Sequence, residues 1–230
     1  MKQLNDYSDK RLRAFCVYCG GSTATRDHVP SRILLDPPYP PNLPVVPACP
    51  ECNNSFALDE EYLACLVECV ICGSTTPEEI KRERIGTILR KKPALAVKLS
   101  QDRAADSSGK TLFRVEEDRV RNVLLKLARG HASYELGEPQ LNQPMSLNFA
   151  PLDTLSPEAR DDFESPPSPT AWPEVGSRAM QRLIEEEGAV DWPGWVVVQS
   201  GRYRYSASIG EGTVIRIVIS EYLAGEVTWG

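Results

Sequence analysis

A chain of 230 residues can hold one mid-sized domain, or a small module joined to a larger one, and is long enough to bury a real core. With 41% hydrophobic and 25% charged residues, and no apolar run near the roughly 18 residues a membrane span needs, the composition is globular and excludes a membrane-inserted chain. The net charge of −6 opposes binding to a polyanion by bulk attraction. A nucleic-acid partner would therefore have to meet local basic clusters, which lie at Lys10 to Arg13, at Arg26 and Arg32, and along Lys81, Arg82, Arg84, Arg90, Lys91 and Lys92. The polar start MKQLNDYSDKRLR has no signal-peptide character, and seven cysteines, an odd number, fit a reducing compartment, so a cytoplasmic location is expected.

In chain order, the first landmark is the segment DPPYPPNLP, residues 36–44, whose prolines predict a stiff extended loop between ordered pieces. Apolar residues at helical spacing (Phe56, Leu63, Leu66, Val67, Val70) predict a helix over 53–72 that Gly73 ends. A second helix is predicted over 77–100, opened by Pro77 with Glu78 and Glu79 in its first turn. A short strand over 111–115 and a helix over 117–128 follow. Proline, serine and acidic residues then dominate 139–173, which reads as an irregular connection with one short helix at 157–163. After a helix over 177–187, the period changes to two. Segments 195–199, 203–209, 213–220 and 225–229, separated by glycine turns, predict an antiparallel meander.

The strongest chemical signal is Cys16-Val-Tyr-Cys19 with Cys49-Pro-Glu-Cys52. Each C-x-x-C pair turns two sulfurs toward one point, so two pairs supply four thiolates for a tetrahedral zinc; the competing reading is buried or merely reduced cysteines. Between the pairs lie Arg26-Asp27-His28-Val29-Pro30 and Asn42-Leu43, and Asn53 follows the second pair directly.

Taken in that order, these motifs resemble the HNH endonuclease family in its zinc-stabilised form, over roughly residues 13–63. The resemblance implies an N-terminal ββα-metal module stapled by structural zinc over residues 1–75; with the helices and the C-terminal antiparallel sheet read above over 76–230, the chain is expected to be α+β. It implies phosphodiester hydrolysis in DNA, with RNA the less favoured substrate. His28 would be the general base, and Asp27 and Asn53 the ligands of a catalytic Mg²⁺ or Mn²⁺. Asn42 would have a structural or His-orienting role, and Arg26 and Arg32 would contact nucleic acid. The last position is Asn rather than His, an H-N-N variant, and the acidic run Asp59-Glu60-Glu61 follows where the family usually has a basic residue. Asp59 and Glu60 are candidate extra ligands, against the plainer reading of a solvated face. Genome defence or a mobile element is the loosely implied setting.

The other titratable clusters read as structural. His131 lacks a chemical context. Cys65, Cys69 and Cys72 lie among apolar residues as core does. Alternation puts Tyr203 and Tyr205 on one strand face and Arg204 on the other. Residues 76–230 could recognise substrate, form a homodimer or hold a partner protein, and the sequence does not choose. The alternative to a nuclease is a non-catalytic zinc module that docks nucleic acid or a protein.

Overall fold

The structure is a computed structural model, and it describes residues 4–105, 111–185 and 194–230. The chain divides into two compact units, one of residues 1–56 with 124–230 and one of residues 57–123. Among the described residues no helix is long and apolar enough to cross a membrane.

The first unit opens with a small hairpin. Strands β1 (Thr25–His28) and β2 (Val45–Ala48) pair antiparallel, with Thr25 opposite Ala48 and His28 opposite Val45. Helix α1 (Pro50–Ser55) follows at once, with Pro50 at its first position, where the missing N–H costs nothing. The proline-rich residues 36–44 lie outside strands and helices, as their composition requires.

Most of this unit's core lies in a five-stranded antiparallel sheet of order β5-β9-β8-β7-β6, built from β5 (Ser146–Pro151), β6 (Val196–Gln199), β7 (Tyr203–Ile209), β8 (Thr213–Ile219) and β9 (Leu223–Trp229). The last four are the expected meander. β5 is new: it pairs along β9 from Ser146 opposite Thr228 to Pro151 opposite Leu223, inside the stretch expected to be irregular. Proline is tolerated there because β5 is an edge strand and Pro151 is its last residue.

Both faces of the sheet are covered within this unit. On one, Tyr203, Tyr205 and Ile217 are fully buried. Gly225 lets Leu124 come so near that an added Cβ would sit 2.9 Å from its side chain. On the other, helix α6 (Pro157–Glu164), capped by Ser156, lays Phe163 against Leu152, Val218 and Ala224. Arg204 lies on that second face, bridging Glu164 at 2.7 Å and Glu221 at 2.9 Å with its guanidinium 4.2 Å from the Trp195 ring. At the β6 edge, the Gln199 side chain makes two 2.8 Å hydrogen bonds to the backbone N–H and C=O of Asp36. Helix α7 (Arg178–Glu185) completes the unit; residues 186 and 187 of the expected helix lie outside the described residues.

The second unit is mainly helical. It holds α2 (Ala57–Cys72), α3 (Glu83–Lys91), α4 (Pro93–Gln101), the hairpin of β3 (Arg103–Ala105) with β4 (Thr111–Phe113), and the first turns of α5 (Glu117–His131). The helix expected over 53–72 is two, α1 and α2, parted at Phe56. The one expected over 77–100 is a short turn at 77–79 followed by α3 and α4, because Pro93 cannot continue the hydrogen-bond ladder and instead starts a new helix. Buried Tyr62 ties α2 to the chain before α5: its hydroxyl accepts from the Glu116 N–H at 3.0 Å, and Arg119 lies 4.3 Å over its ring.

Candidate metal centre and nucleic-acid site

The first knuckle is shaped by its glycines. Gly20, in the left-handed region at φ 75°, donates its N–H to the Cys16 carbonyl at 2.8 Å, and the Cys16 N–H returns to the Gly21 carbonyl at 2.8 Å. The Val17 N–H bonds the Pro47 carbonyl at 3.1 Å and so anchors the knuckle on β2. The second knuckle is the start of α1, where the Cys49 sulfur accepts from the Cys52 N–H at 3.3 Å as an N-cap.

Together the two knuckles bring the Sγ atoms of Cys16, Cys19, Cys49 and Cys52 within 4.8 Å of one another. Cys19 and Cys49 sulfurs are 3.9 Å apart. That is far beyond a disulfide of about 2 Å, and close to the roughly 3.8 Å edge of a tetrahedron with sulfurs about 2.3 Å from a central zinc. These four residues could hold a metal ion such as zinc, and they form the one such group among the described residues. Burial raises the Cys16 thiol, but the N–H groups of Cys49, Tyr18 and Cys19 outweigh it and bring it down to about 7, so one thiolate forms readily near neutral pH.

The metal knuckle reaches directly to β1. Tyr18, between its two cysteines, packs edge-on against Phe56 at 5.3 Å and donates its hydroxyl to Asp27 Oδ2 at 2.8 Å. The same oxygen lies 2.8 Å from the Lys126 ammonium, which also donates to Ser31 Oγ at 3.0 Å. Lys126 is 1% exposed and Asp27 8%. Asp27 is thus the acceptor of a buried ion pair between β1 and α5. Asn53 turns its side-chain NH₂ to Thr25 Oγ1 at 3.2 Å and the Arg26 carbonyl at 3.4 Å, tying α1 to β1.

The other face of β1 carries Arg26, exposed, and His28, half-buried. Arg32, exposed on the turn that follows, places Nη2 3.2 Å from His28 Nε2. A guanidinium only donates, so this contact assigns the lone pair to Nε2 and the ring proton to Nδ1. Burial, then Arg32, and more weakly Lys126, hold the imidazole below its ordinary value against the opposing pull of Asp27. His28 is therefore neutral near pH 7, as a base must be.

The divalent ion implied for Asp27 and Asn53 does not fit this arrangement. Two unit charges about 4 Å apart repel by about 4 kcal/mol in a surface-like dielectric, and a dication doubles that. Lys126 already supplies the positive charge on the Asp27 carboxylate. Asp59 is likewise committed, to Arg119 and Asn122 at 2.7 Å each within its own unit, and Glu60 is buried. Asn42 is half-buried and lines, with Thr25, Arg26 and Arg178, a cavity of about 810 Å³.

Cys65, Cys69 and His131 are buried, whereas Cys72, expected as core with them, is half-buried with its thiol 3.6 Å from Glu68 Oε1. Burial raises Cys65 and Cys69 to about 12, leaving neutral core thiols. His131 is fully buried, stacks on Tyr205 at 3.7 Å and bonds the Tyr203 hydroxyl through Nε2 at 2.7 Å. Sequence reasoning missed Lys126 and Tyr18. The signal for Lys126 was present in Val123-Leu124-Leu125-Lys126-Leu127-Ala128, where a lysine among apolar helix residues demands a buried counter-charge. Comparison with protein-family models, with curated proteins and with solved structures finds no match.

Proposed function

We propose that the chain is an endonuclease of HNH type that hydrolyses phosphodiester bonds in DNA, with the ββα-metal module formed by β1, β2 and α1. The observation that carries this reading is the four-sulfur cluster, which joins the Cys16–Cys19 knuckle to the start of α1, together with a neutral His28 imidazole beside exposed Arg32. The cluster, filled by zinc, is a staple. In the reaction, His28 Nε2 accepts the proton of the attacking water, and Arg26 and Arg32 hold the non-bridging oxygens and offset charge that grows in the transition state. Asn53 fixes α1 against β1 so that these groups keep their spacing.

The test is plasmid nicking by the full chain. His28→Ala should abolish it with zinc content and secondary structure unchanged, and a wild type inert on both DNA and RNA would end the proposal. The overall charge of −6 favours one second reading, a zinc module that docks a protein partner. It gains if nucleic acid is neither cut nor bound.

A further inference from the structure

The Asp-His pair of β1 splits its two side chains between different tasks. Asp27 points inward, into a buried assembly of Lys126, Tyr18 and Ser31. Breaking it to admit a dication would strand an ammonium that is 1% exposed with its anionic partner taken away. His28 lies on the other side of the strand, and the cations accessible there are guanidinium groups: Arg32 at 3.2 Å from the imidazole, and Arg26 two residues before it on the same face. A planar fork of N–H donors matches the non-bridging oxygens of a phosphodiester, and it carries its charge at any working pH.

We infer that Arg32 is the catalytic cation of this site and that cleavage needs no divalent ion, Asp27 serving only to position β1 through Lys126. The inference rests on the nuclease reading above. In the step, a water oxygen forms a bond to phosphorus as one P–O ester bond breaks, and the water proton passes to His28 Nε2. The departing alkoxide takes a proton from solvent, and His28 later returns its own. Water is the one co-reactant, and no electrons change hands. Arg32 donates to His28 Nε2 while the site is free of substrate, which orients the ring; when it turns to the phosphate, it uncovers the lone pair that the water needs.

The experiment uses full-length, zinc-loaded protein, with zinc content measured, in buffer stripped of other divalent ions, on supercoiled plasmid. Cleavage should persist there and gain little from added Mg²⁺ or Mn²⁺. Arg32→Ala should slow it by about a hundred-fold or more, with zinc content and circular dichroism unchanged, and Arg32→Lys should restore part of the loss. Cleavage that appears only with added Mg²⁺ or Mn²⁺, or that survives Arg32→Ala at full rate, overturns the inference and leaves the nuclease reading standing. A protein inert under every condition overturns both.

Discussion

Replacing Cys16 by serine tests the staple directly. Cys16 is fully buried, its sulfur is one of the four that converge, and serine is close in size but a poor zinc ligand. With metal bound, the link from Cys19 to Cys49 closes a loop of 30 residues. In the chain-entropy treatment of cross-links, such a loop removes ~12 cal/mol/K from the unfolded chain, about 3.6 kcal/mol at 25 °C. The variant should therefore lose its zinc, measured by elemental analysis, and unfold in urea with stability reduced by about 3 to 4 kcal/mol, a large part of the total for a domain of this size. The assay compares urea transitions of zinc-loaded wild type and variant, followed by circular dichroism and tryptophan fluorescence. A wild type that binds no zinc, or a variant that loses zinc yet unfolds at the same urea concentration, would refute the reasoning.

Three further outcomes follow from other parts of the structure. His131 is held neutral by complete burial, with Nδ1 lacking a partner among the described residues while its ring stacks on Tyr205 and Nε2 meets the Tyr203 hydroxyl. Its folded pKa lies below the unfolded 6.5, so its contribution is present above pH 6.5 and is lost as pH falls toward the folded value. Stability should drop with a slope of up to about 1.4 kcal/mol per pH unit below 6.5, and His131→Phe should flatten that slope in urea titrations at several pH values; an unchanged slope would contradict the assignment. Lys126→Met leaves Asp27 buried without its counter-ion and should cost about 3 to 5 kcal/mol, much of which Asp27→Leu in the same chain should recover; equal urea midpoints for wild type and Lys126→Met would refute the buried pair. Gly130→Ala would place a Cβ 2.6 Å from a Val29 methyl, so α5 must shift from the chain just after His28. A loss of about 1 to 3 kcal/mol is expected, together with slower cleavage, and a thermally neutral variant would show that the contact yields.

What could be read from the amino acids depended on how local the cause was. The meander was legible because aromatic and β-branched residues fill four segments parted by glycine turns, and the two knuckles because short spacing alone aims a pair of sulfurs. β5 was hidden by Pro144 and Pro151: its strand character comes from pairing with β9, some 75 residues on, not from its own composition. The break at Pro93 is legible in the sequence, since proline cannot continue a helix's hydrogen-bond ladder, although the expected helix runs through it. In the site, the residues of β1 and α1 stand out because they lie beside the two cysteine pairs in sequence, whereas the contact of Asp27 with Lys126 does not. A carboxylate looks the same in sequence whether a dication or a buried lysine answers it, and Lys126 is almost a hundred positions away.

The paired contacts between Gln199 and the Asp36 backbone reach beyond local packing. An amide side chain offers the same donor and acceptor as a peptide group, so one residue at the end of β6 answers the N–H and C=O of Asp36 as a neighbouring strand would. It also fastens the proline-rich crossing to the C-terminal sheet, so that a loop with no strand or helix of its own takes its position from a residue 163 places further along the chain.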